Sequence, residues 1–265
     1  MKNQENRTAV ILCGGKGTRL GLIGKKIPKT LVKVQGKEIL KYILYHLIKS
    51  KFNKIILPVG YRGNMIKKLV SKNFIFKRFV RIISTGKNSG IGKRIASIVK
   101  YLESKNTLIL NGDAIFDFNI SKIYYLHKKK NCDLSFLSTE ITYPYGTIGV
   151  VNGKIIDFRR NLKYHILKTN KKNYDAYNYT GMILIKTSIL KKYRNTFKNF
   201  ENFESKFYPI IIKKYKSQLL KFKSFWHSID STKDIIEVNN IKENKIKFLK
   251  LKKIKKKIVG YYENR

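Results

Sequence analysis

The chain has 265 residues, 43% of them hydrophobic, and 58 Lys and Arg against 16 Asp and Glu give it a formal net charge of +42. That length and apolar content suit one substantial core rather than two full domains, and no apolar run is long enough to span a membrane. So large a positive charge would suit a nucleic-acid binder, but the lysines are spread through every segment among Ile and Asn, and neither an aromatic-interleaved RNA-binding motif nor a helix-turn-helix pattern stands out, so no nucleic-acid partner is expected.

The two cysteines, Cys13 and Cys132, form neither a metal spacing nor a disulfide framework, and the first ten residues carry no apolar stretch ahead of a cleavage site. A cytoplasmic, membrane-free chain with reduced structural thiols is the expectation.

From the N-terminus, residues 8–13 (Thr8-Ala9-Val10-Ile11-Leu12-Cys13) read as a buried strand. The strand breaks into Gly14-Gly15-Lys16-Gly17-Thr18-Arg19-Leu20, and Ile27-Pro28-Lys29 follows. Backbone N–H groups converge on phosphate oxygens most readily where no Cβ intrudes, which Gly14, Gly15 and Gly17 allow. Arg19 adds a planar fork of donors, and Lys29, behind the fixed φ of Pro28, adds a point charge. A glycine turn with ordinary surface cations would read the same way in isolation. No Gly-Lys-Ser/Thr opens a helix, so the Walker pattern is absent, and the third glycine of the dinucleotide fingerprint is missing.

The alternation then continues. Residues 38–50 read as a helix with Ile39, Ile43, Leu44 and Leu47 on one face, 54–59 as a strand, 64–71 as a helix and 80–84 as a strand. Residues 92–102 read as a helix, and 107–110 as a strand that ends in Asn111-Gly112-Asp113. Such a rhythm predicts an α/β fold, a Rossmann-like, mostly parallel sheet flanked by helices, with ligands outside the carboxyl ends of the strands.

Beyond Cys132 the strand-like stretches 133–139, 147–151, 154–158 and 179–185 crowd together, with Asn152-Gly153 as a hairpin turn. More antiparallel pairing is expected here. Helices are predicted at 203–215 and 232–245 around an extended stretch at 219–229. The expected organisation is one domain: a first half to about residue 131, a second half over about 132–245, and a basic tail at 246–265. The densest cationic run, 245–257, reads as a solvated segment with one partly apolar face.

Two acids stand at strand ends in a chain poor in acids, Asp113 and Asp230. Mg²⁺ prefers hard oxygen ligands and is commonly held by one or two carboxylates together with substrate phosphates, which such a pair would supply. A turn aspartate or a helix cap is the plainer reading of each, and Asp230 stands where it would cap the 232–245 helix. His46, His127, His165 and His227 form no metal spacing.

Taken together, Gly15-x-Gly17-Thr18-Arg19-Leu20 with Pro28-Lys29, Gly112-Asp113, and Phe225-Trp226-x-x-Ile229-Asp230-Ser231-Thr232 resemble the nucleotide-diphospho-sugar pyrophosphorylases, the sugar-1-phosphate nucleotidyltransferases. The segment Thr85-Gly86-Lys87-Asn88-Ser89-Gly90-Ile91-Gly92-Lys93-Arg94-Ile95 and Gly60-Tyr61-Arg62-Gly63 are similar to the matching stretches of the glucose-1-phosphate cytidylyltransferases. The resemblance implies Arg19 and Lys29 as catalytic contacts to a triphosphate and Asp113 and Asp230 as ligands of Mg²⁺. It also implies a nucleotide site drawn from Leu12, Gly14, Gly15, Gly17, Thr18, Thr85, Gly86, Gly90, Gly92, Arg94, Asn111 and Gly112.

On the acceptor side the resemblance points to Tyr145 and Gly146, and to the positions of Tyr179 and Thr180, which replace the family's usual asparagine and small residue before Gly181. Where the family usually has Glu-Lys-Pro after the strand ending at Phe158, this chain has Arg159-Arg160-Asn161, so Arg159 and Arg160 are the expected replacements for the lysine that meets the acceptor phosphate. The implied reaction joins CTP and a sugar 1-phosphate, glucose 1-phosphate first, to give a CDP-sugar and pyrophosphate; a homo-oligomer is compatible with it. The alternatives are cytidylyl or guanylyl transfer to a heptose or mannose 1-phosphate or a phosphocholine-like acceptor, a nucleotide-binding regulator, and a nucleic-acid-binding module motivated by charge alone.

Overall fold

The computed structural model describes residues 5–142, 146–160, 163–164, 167–168, 175–242 and 258. The central sheet takes β1 (Thr8–Leu12), β2 (Lys54–Val59), β3 (Val80–Ser84), β4 (Asn106–Asn111), β5 (Leu134–Thr139), β6 (Tyr179–Lys186) and β7 (Ser217–Phe222). These stand in the order β7-β5-β6-β4-β1-β2-β3. Neighbours pair in parallel except at β6, which runs antiparallel to both β4 and β5. The fold is therefore a mostly parallel mixed sheet flanked by helices, as the alternating pattern predicted.

Both faces of the sheet are covered at its centre, which is why β1, β2 and β4 read as continuous apolar runs rather than alternating ones, whereas the edge strands β3 and β7 keep exposed polar residues. Ala9 and Ile11, Ile55 and Leu57, and Leu108 and Leu110 face one core, together with Ile39, Ile43, Leu44 and Leu47 of the helix Ile39–Lys49. Val10, Ile56 and Ile109 face the other, against Ile95 and Ile98 of the helix Ile91–Ile98 and an aromatic group of Phe197, Phe203 and Phe207. Each of the fully buried Val, Leu, Ile and Phe side chains contributes on the order of 1.5–3 kcal/mol.

Several predicted bounds shift for local reasons. The 92–102 helix tightens into a 3₁₀ turn at Val99–Tyr101, and the 203–215 helix ends at Ile212. The extended stretch 219–229 divides: Ser217–Phe222 joins the sheet as β7, whereas Trp226–Ser228 leaves it to pair antiparallel with Ala114–Phe116. Thr139 Oγ1 lies 2.9 Å from the Phe222 carbonyl and 2.8 Å from the Ser224 carbonyl, its one hydroxyl proton shared between them, which holds the chain where it turns away. Helices not expected from the sequence occur at Phe74–Phe79 and Ile120–Lys129, each opened by an asparagine whose side chain accepts from the third following N–H. The Asn152-Gly153 turn has positive φ at both residues, 48° and 77°, and joins Gly146–Val151 to Lys154–Arg160 as expected. Residues 246–257 lie outside the described residues, but Ile258 just beyond them is buried in the core that also holds Ala9 and Ile11.

A buried histidine in this core yields a stability prediction. His127 lies on the helix Ile120–Lys129, its Nδ1 2.7 Å from Ser135 Oγ on β5, and Nε2 has no partner among the described residues. Burial first, then the charge of Lys186, pushes its pKa down from 6.5 to about 4, with Asp133 opposing. Below about pH 6.5 the unfolded chain takes up a proton that the folded one refuses until about pH 4, so stability falls as pH drops through that window, by up to about 3 kcal/mol. Urea melts of wild type and His127→Gln between pH 7.5 and 4.5 should show that component only in the wild type; parallel pH profiles would refute it.

Candidate active site

The strand order reverses at β1, which has β2 on one side and β4 on the other, and a crevice opens at such a point beyond the carboxyl ends of the strands. The register aligns those ends: Leu12 pairs with Asn111, and the Gly112 N–H donates to the Leu12 carbonyl at 3.1 Å. The glycine segment after β1 and the Asn111-Gly112-Asp113 segment after β4 thus meet at one edge of the sheet.

Two cavities adjoin there. One, of about 360 Å³, is lined by Leu12, Gly14, Gly15, Gly17, Ser89, Gly90 and Arg94, with Lys29, Asn111 and Asp113. The other, of about 520 Å³, is lined by Thr18, Arg19, Tyr179, Thr180, Gly181, Glu204, Trp226, Ser228 and Asp230. Gly17, Lys29, Ile91, Asn111 and Asp113 belong to both. Lys29 and Asp113 therefore stand at the junction. A larger, mainly apolar groove of about 710 Å³, lined by Ile23, Ile27, Met65, Leu69 and Ile235 among others, holds none of these groups.

Local structure explains how each cation reaches the junction. Gly17 has φ +63°, a left-handed conformation that strains any residue with a Cβ, and it starts the 3₁₀ turn Thr18–Leu20 that carries Arg19. Pro28, at φ −58°, begins the turn Lys29–Leu31. Lys29 Nζ donates to Asp113 Oδ2 at 2.6 Å and to Asp230 Oδ1 at 2.7 Å, so two acids remote in sequence share one ammonium. Arg19 Nη1 lies 3.3 Å from Asp230 Oδ1, with its side chain 80% exposed, leaving it free to reach another anion. Ser228 Oγ donates to Asp230 Oδ2 at 2.7 Å.

Burial works to lower the Lys29 pKa, but the charges and hydrogen bonds of Asp113 and Asp230 outweigh it and hold the value above that of a free lysine. Burial works to raise the Asp230 pKa, and hydrogen bonds from Lys29 and Ser228, with the charges of Lys29 and Arg19, reverse it. Asp230 is not the helix cap. Ser231 takes that place in a reciprocal box with Asp234, whose Oδ2 accepts from the Asp230 and Ser231 N–H groups at 2.9 and 2.6 Å. The Asp230 carboxylate is thereby left to the crevice.

Of the residues singled out in the sequence, Leu12, Gly14, Gly15, Gly17, Thr18, Arg19, Lys29, Gly90, Arg94, Asn111, Asp113, Tyr179, Thr180 and Asp230 line the paired cavities. Thr85, Gly86, Gly92 and Gly112 line neither. Thr85 is buried, its Oγ1 bonded to Arg94 and to the Val59 carbonyl. A Cβ on Gly92 would stand 2.1 Å from the Phe197 carbonyl, which marks that glycine as a helix-packing position. Arg159 and Arg160 are exposed on the Lys154–Arg160 strand outside both cavities, Arg159 paired with Asp157 at 2.6 Å, while Gly146 opens the partner strand. Those two arginines lie on a two-stranded ribbon that the central sheet does not incorporate. Tyr145 lies outside the described residues. His227 faces its own neighbours, Nδ1 2.7 Å from the Ser228 carbonyl and Nε2 3.2 Å from Glu237.

Glu204 and Ser228 were not among the expected site residues. Glu204, in the first turn of the helix Phe203–Ile212, has no hydrogen bond or ion pair among the described residues, and burial, followed by repulsion from Asp113, raises its pKa. The signal for Glu204 was its rarity: one of 16 acids in a chain with 58 cations.

Comparison with known proteins places the chain in a family. Residues 8–245 match the family described as nucleotidyl transferase. The chain is 34% identical over 142 residues, 54% of its own length and 62% of the relative's, to the D-glycero-alpha-D-manno-heptose 1-phosphate guanylyltransferase of Campylobacter jejuni. It is 24% identical to the "Probable glucose-1-phosphate cytidylyltransferase" of Bacillus subtilis, over 88% of this chain and 95% of that one. The chain thus spans less than two thirds of the first of these relatives. The solved structure of HddC from Yersinia pseudotuberculosis complexed with GMP-PN shares the fold at 21% identity and a TM-score of 0.61, covering 88% of this chain and 98% of that one.

Proposed function

The chain belongs to the nucleotidyl transferase family, and from that premise we propose that it joins a nucleoside triphosphate to a sugar 1-phosphate and releases pyrophosphate, with CTP as donor and glucose 1-phosphate as acceptor. The observation that carries this reading is the pair of cavities meeting at Lys29 and Asp113. The glycine-lined cavity suits a triphosphate. Its neighbour, with Tyr179, Thr180, Trp226 and the unpaired Glu204, suits a polyhydroxylated ring: aromatic faces pack on sugar C–H groups, and a carboxylate accepts from hydroxyls. Glycine-cavity residues all come from the first 113 positions, whereas Tyr179, Thr180, Glu204, Trp226, Ser228 and Asp230 come from later ones, in keeping with a nucleotide-binding half and an acceptor-binding half.

In this reading an acceptor phosphate oxygen attacks the α-phosphorus as the bond to the β-phosphate oxygen breaks, and pyrophosphate leaves with the electron pair. The nucleophile is already an anion, so the protein needs to align two polyanions and offset their repulsion rather than remove a proton. Lys29 and Arg19 would exchange their carboxylate partners for phosphate oxygens and stabilise the charge growing on the leaving group. The carboxylates of Asp113 and Asp230, close enough to share one ammonium, fit a hard divalent cation such as Mg²⁺. That ion, when bound, would neutralise phosphate charge and polarise the reacting group.

The CTP assignment is supported by the likeness of residues 85–95 to the cytidylyltransferases and by the Bacillus relative. The 34% identity to a guanylyltransferase favours a second reading, guanylyl transfer to a heptose or mannose 1-phosphate. Four nucleoside triphosphates against glucose, mannose and heptose 1-phosphates, with Mg²⁺ and pyrophosphate release as readout, separate them. The highest kcat/KM is expected for CTP with glucose 1-phosphate, and Glu204→Gln should raise KM for the sugar phosphate about tenfold while sparing that for the nucleotide. GTP with mannose or heptose phosphate would establish the second reading, and no turnover with any pair would refute both.

A further inference from the structure

The guanidinium of Arg94 occupies a place that surface contacts do not explain. The residue is only 4% exposed, in the first turn of the helix Ile91–Ile98. Nη2 donates to the Gly14 carbonyl and Nη1 to Thr85 Oγ1, both at 2.8 Å. No carboxylate pairs with it among the described residues. A Cβ on Gly14 would stand 2.3 Å from the guanidinium carbon, and one on Gly60 would stand 2.3 Å from Nη1, so the planar group is clasped between the backbones that leave β1 and β2. Thr85 follows β3, and its N–H and Oγ1 both donate to the Val59 carbonyl at the end of β2. One buried cation thus ties together the exits of three neighbouring strands and the start of the helix lining the glycine cavity.

Resting on the reading of that cavity as the nucleotide site, we propose that Arg94 is a positioning residue for the triphosphate, acting through the Gly14–Gly15 peptide rather than as a ligand of the nucleotide. A trans peptide points its C=O and the following N–H to opposite sides. Anchoring the Gly14 carbonyl on Arg94 therefore directs the Gly15 N–H away from the guanidinium, and outside Gly14 to Lys16 no atom of the described residues lies within 4 Å of where a Cβ on Gly15 would be. The peptide is held with its donor turned outward before any ligand arrives, which removes the cost of ordering a glycine pair on binding. The fork geometry matters as well as the charge: two acceptors on separate loops are fixed by one rigid plane, which a lysine ammonium does not reproduce. Glycine is required at 14 and 60 because the guanidinium occupies the space a side chain would take.

The test measures binding of CTP and of GTP with Mg²⁺ in the absence of acceptor, by calorimetry, for wild type, Arg94→Lys, Arg94→Met and Thr85→Val. Steady-state KM values for nucleotide and sugar phosphate and melting temperatures are measured alongside. Arg94→Met should weaken binding of the preferred nucleotide about 10- to 100-fold, Arg94→Lys less than that and Thr85→Val about threefold, each raising the nucleotide KM without moving that of the acceptor. Thr85→Val keeps the guanidinium and the cavity volume, so it reports on the network even if Arg94→Met fails to fold. The proposal is overturned if Thr85→Val and every folded Arg94 variant bind nucleotide as the wild type does, with only the melting temperature lowered, or if both KM values rise together. Failure of the wild type to bind either nucleotide would instead refute the assignment of the cavity.

Discussion

Exchanging Asp113 for asparagine should lower pyrophosphate release about a thousandfold while leaving the chain folded. The two side chains are nearly the same size, and what Asp113 does for the fold it does through its backbone, whose carbonyl accepts from the Ile229 N–H at 2.9 Å. What changes is one of the two carboxylates that share the Lys29 ammonium. A preorganised charge facing a reacting phosphate is worth on the order of 10²–10³ in rate, and removal of a metal carboxylate adds weaker metal binding to that loss. Asp230→Asn should behave alike, because Asp230 is likewise relieved of helix capping by Ser231 and Asp234. The measurement is turnover against Mg²⁺ concentration. Unchanged turnover at every concentration would show that neither carboxylate handles metal or phosphate.

Lys29→Met should be as damaging to turnover, about 10²–10³-fold, but with the opposite effect on the carboxylates. Lys29 donates to both of them, and its hydrogen bond and charge are among the forces holding the Asp230 pKa below the usual value. Without it, Asp113 and Asp230 face each other with the exposed Arg19 as the remaining cation on Asp230, so Asp230 should titrate at higher pH. The same pair, no longer neutralised, should hold a divalent cation more tightly when nucleotide is absent, because the cation then displaces no ammonium. Titration of Mn²⁺ as a paramagnetic stand-in, followed by water proton relaxation, reads that affinity. A variant that turns over normally, or whose cation affinity falls, would show that Lys29 is not poised between metal ligands and phosphate.

Much of the fold was legible because it rests on short-range pattern. Residues 54–59 and 80–84 were delimited to the residue: Ile55 to Val59 are buried and read as an apolar run, whereas 80–84 is an edge strand with Arg81 and Ser84 exposed, legible from its β-branched Val80, Ile82 and Ile83. The Asn152-Gly153 hairpin followed from the few residues that accept positive φ in succession. The helices at 74–79 and 120–129 escaped notice because their caps are single asparagines in a chain rich in asparagine, and their apolar faces are short. The break between β7 and Trp226–Ser228 was invisible for a different reason: it depends on Thr139, more than eighty positions away.

The site divides in the same manner. Sequence by itself determined the chemistry: glycines able to turn after an apolar strand, an arginine and a lysine beside them, and two aspartates closing later strands. Those are properties of residue type and immediate neighbours, which are local. Only the tertiary structure decided which of these groups meet. It set Lys29 between Asp113 and Asp230, turned the Arg94 guanidinium inward onto the Gly14 carbonyl, put Arg159 and Arg160 on a ribbon apart from the central sheet, and brought Glu204 into one cavity with Tyr179 and Trp226. Those outcomes depend on the register of β1 against β4 and on the order of strands in the sheet. Both are fixed by burying two apolar faces at once, a constraint spread over the whole chain and written in no single segment of it.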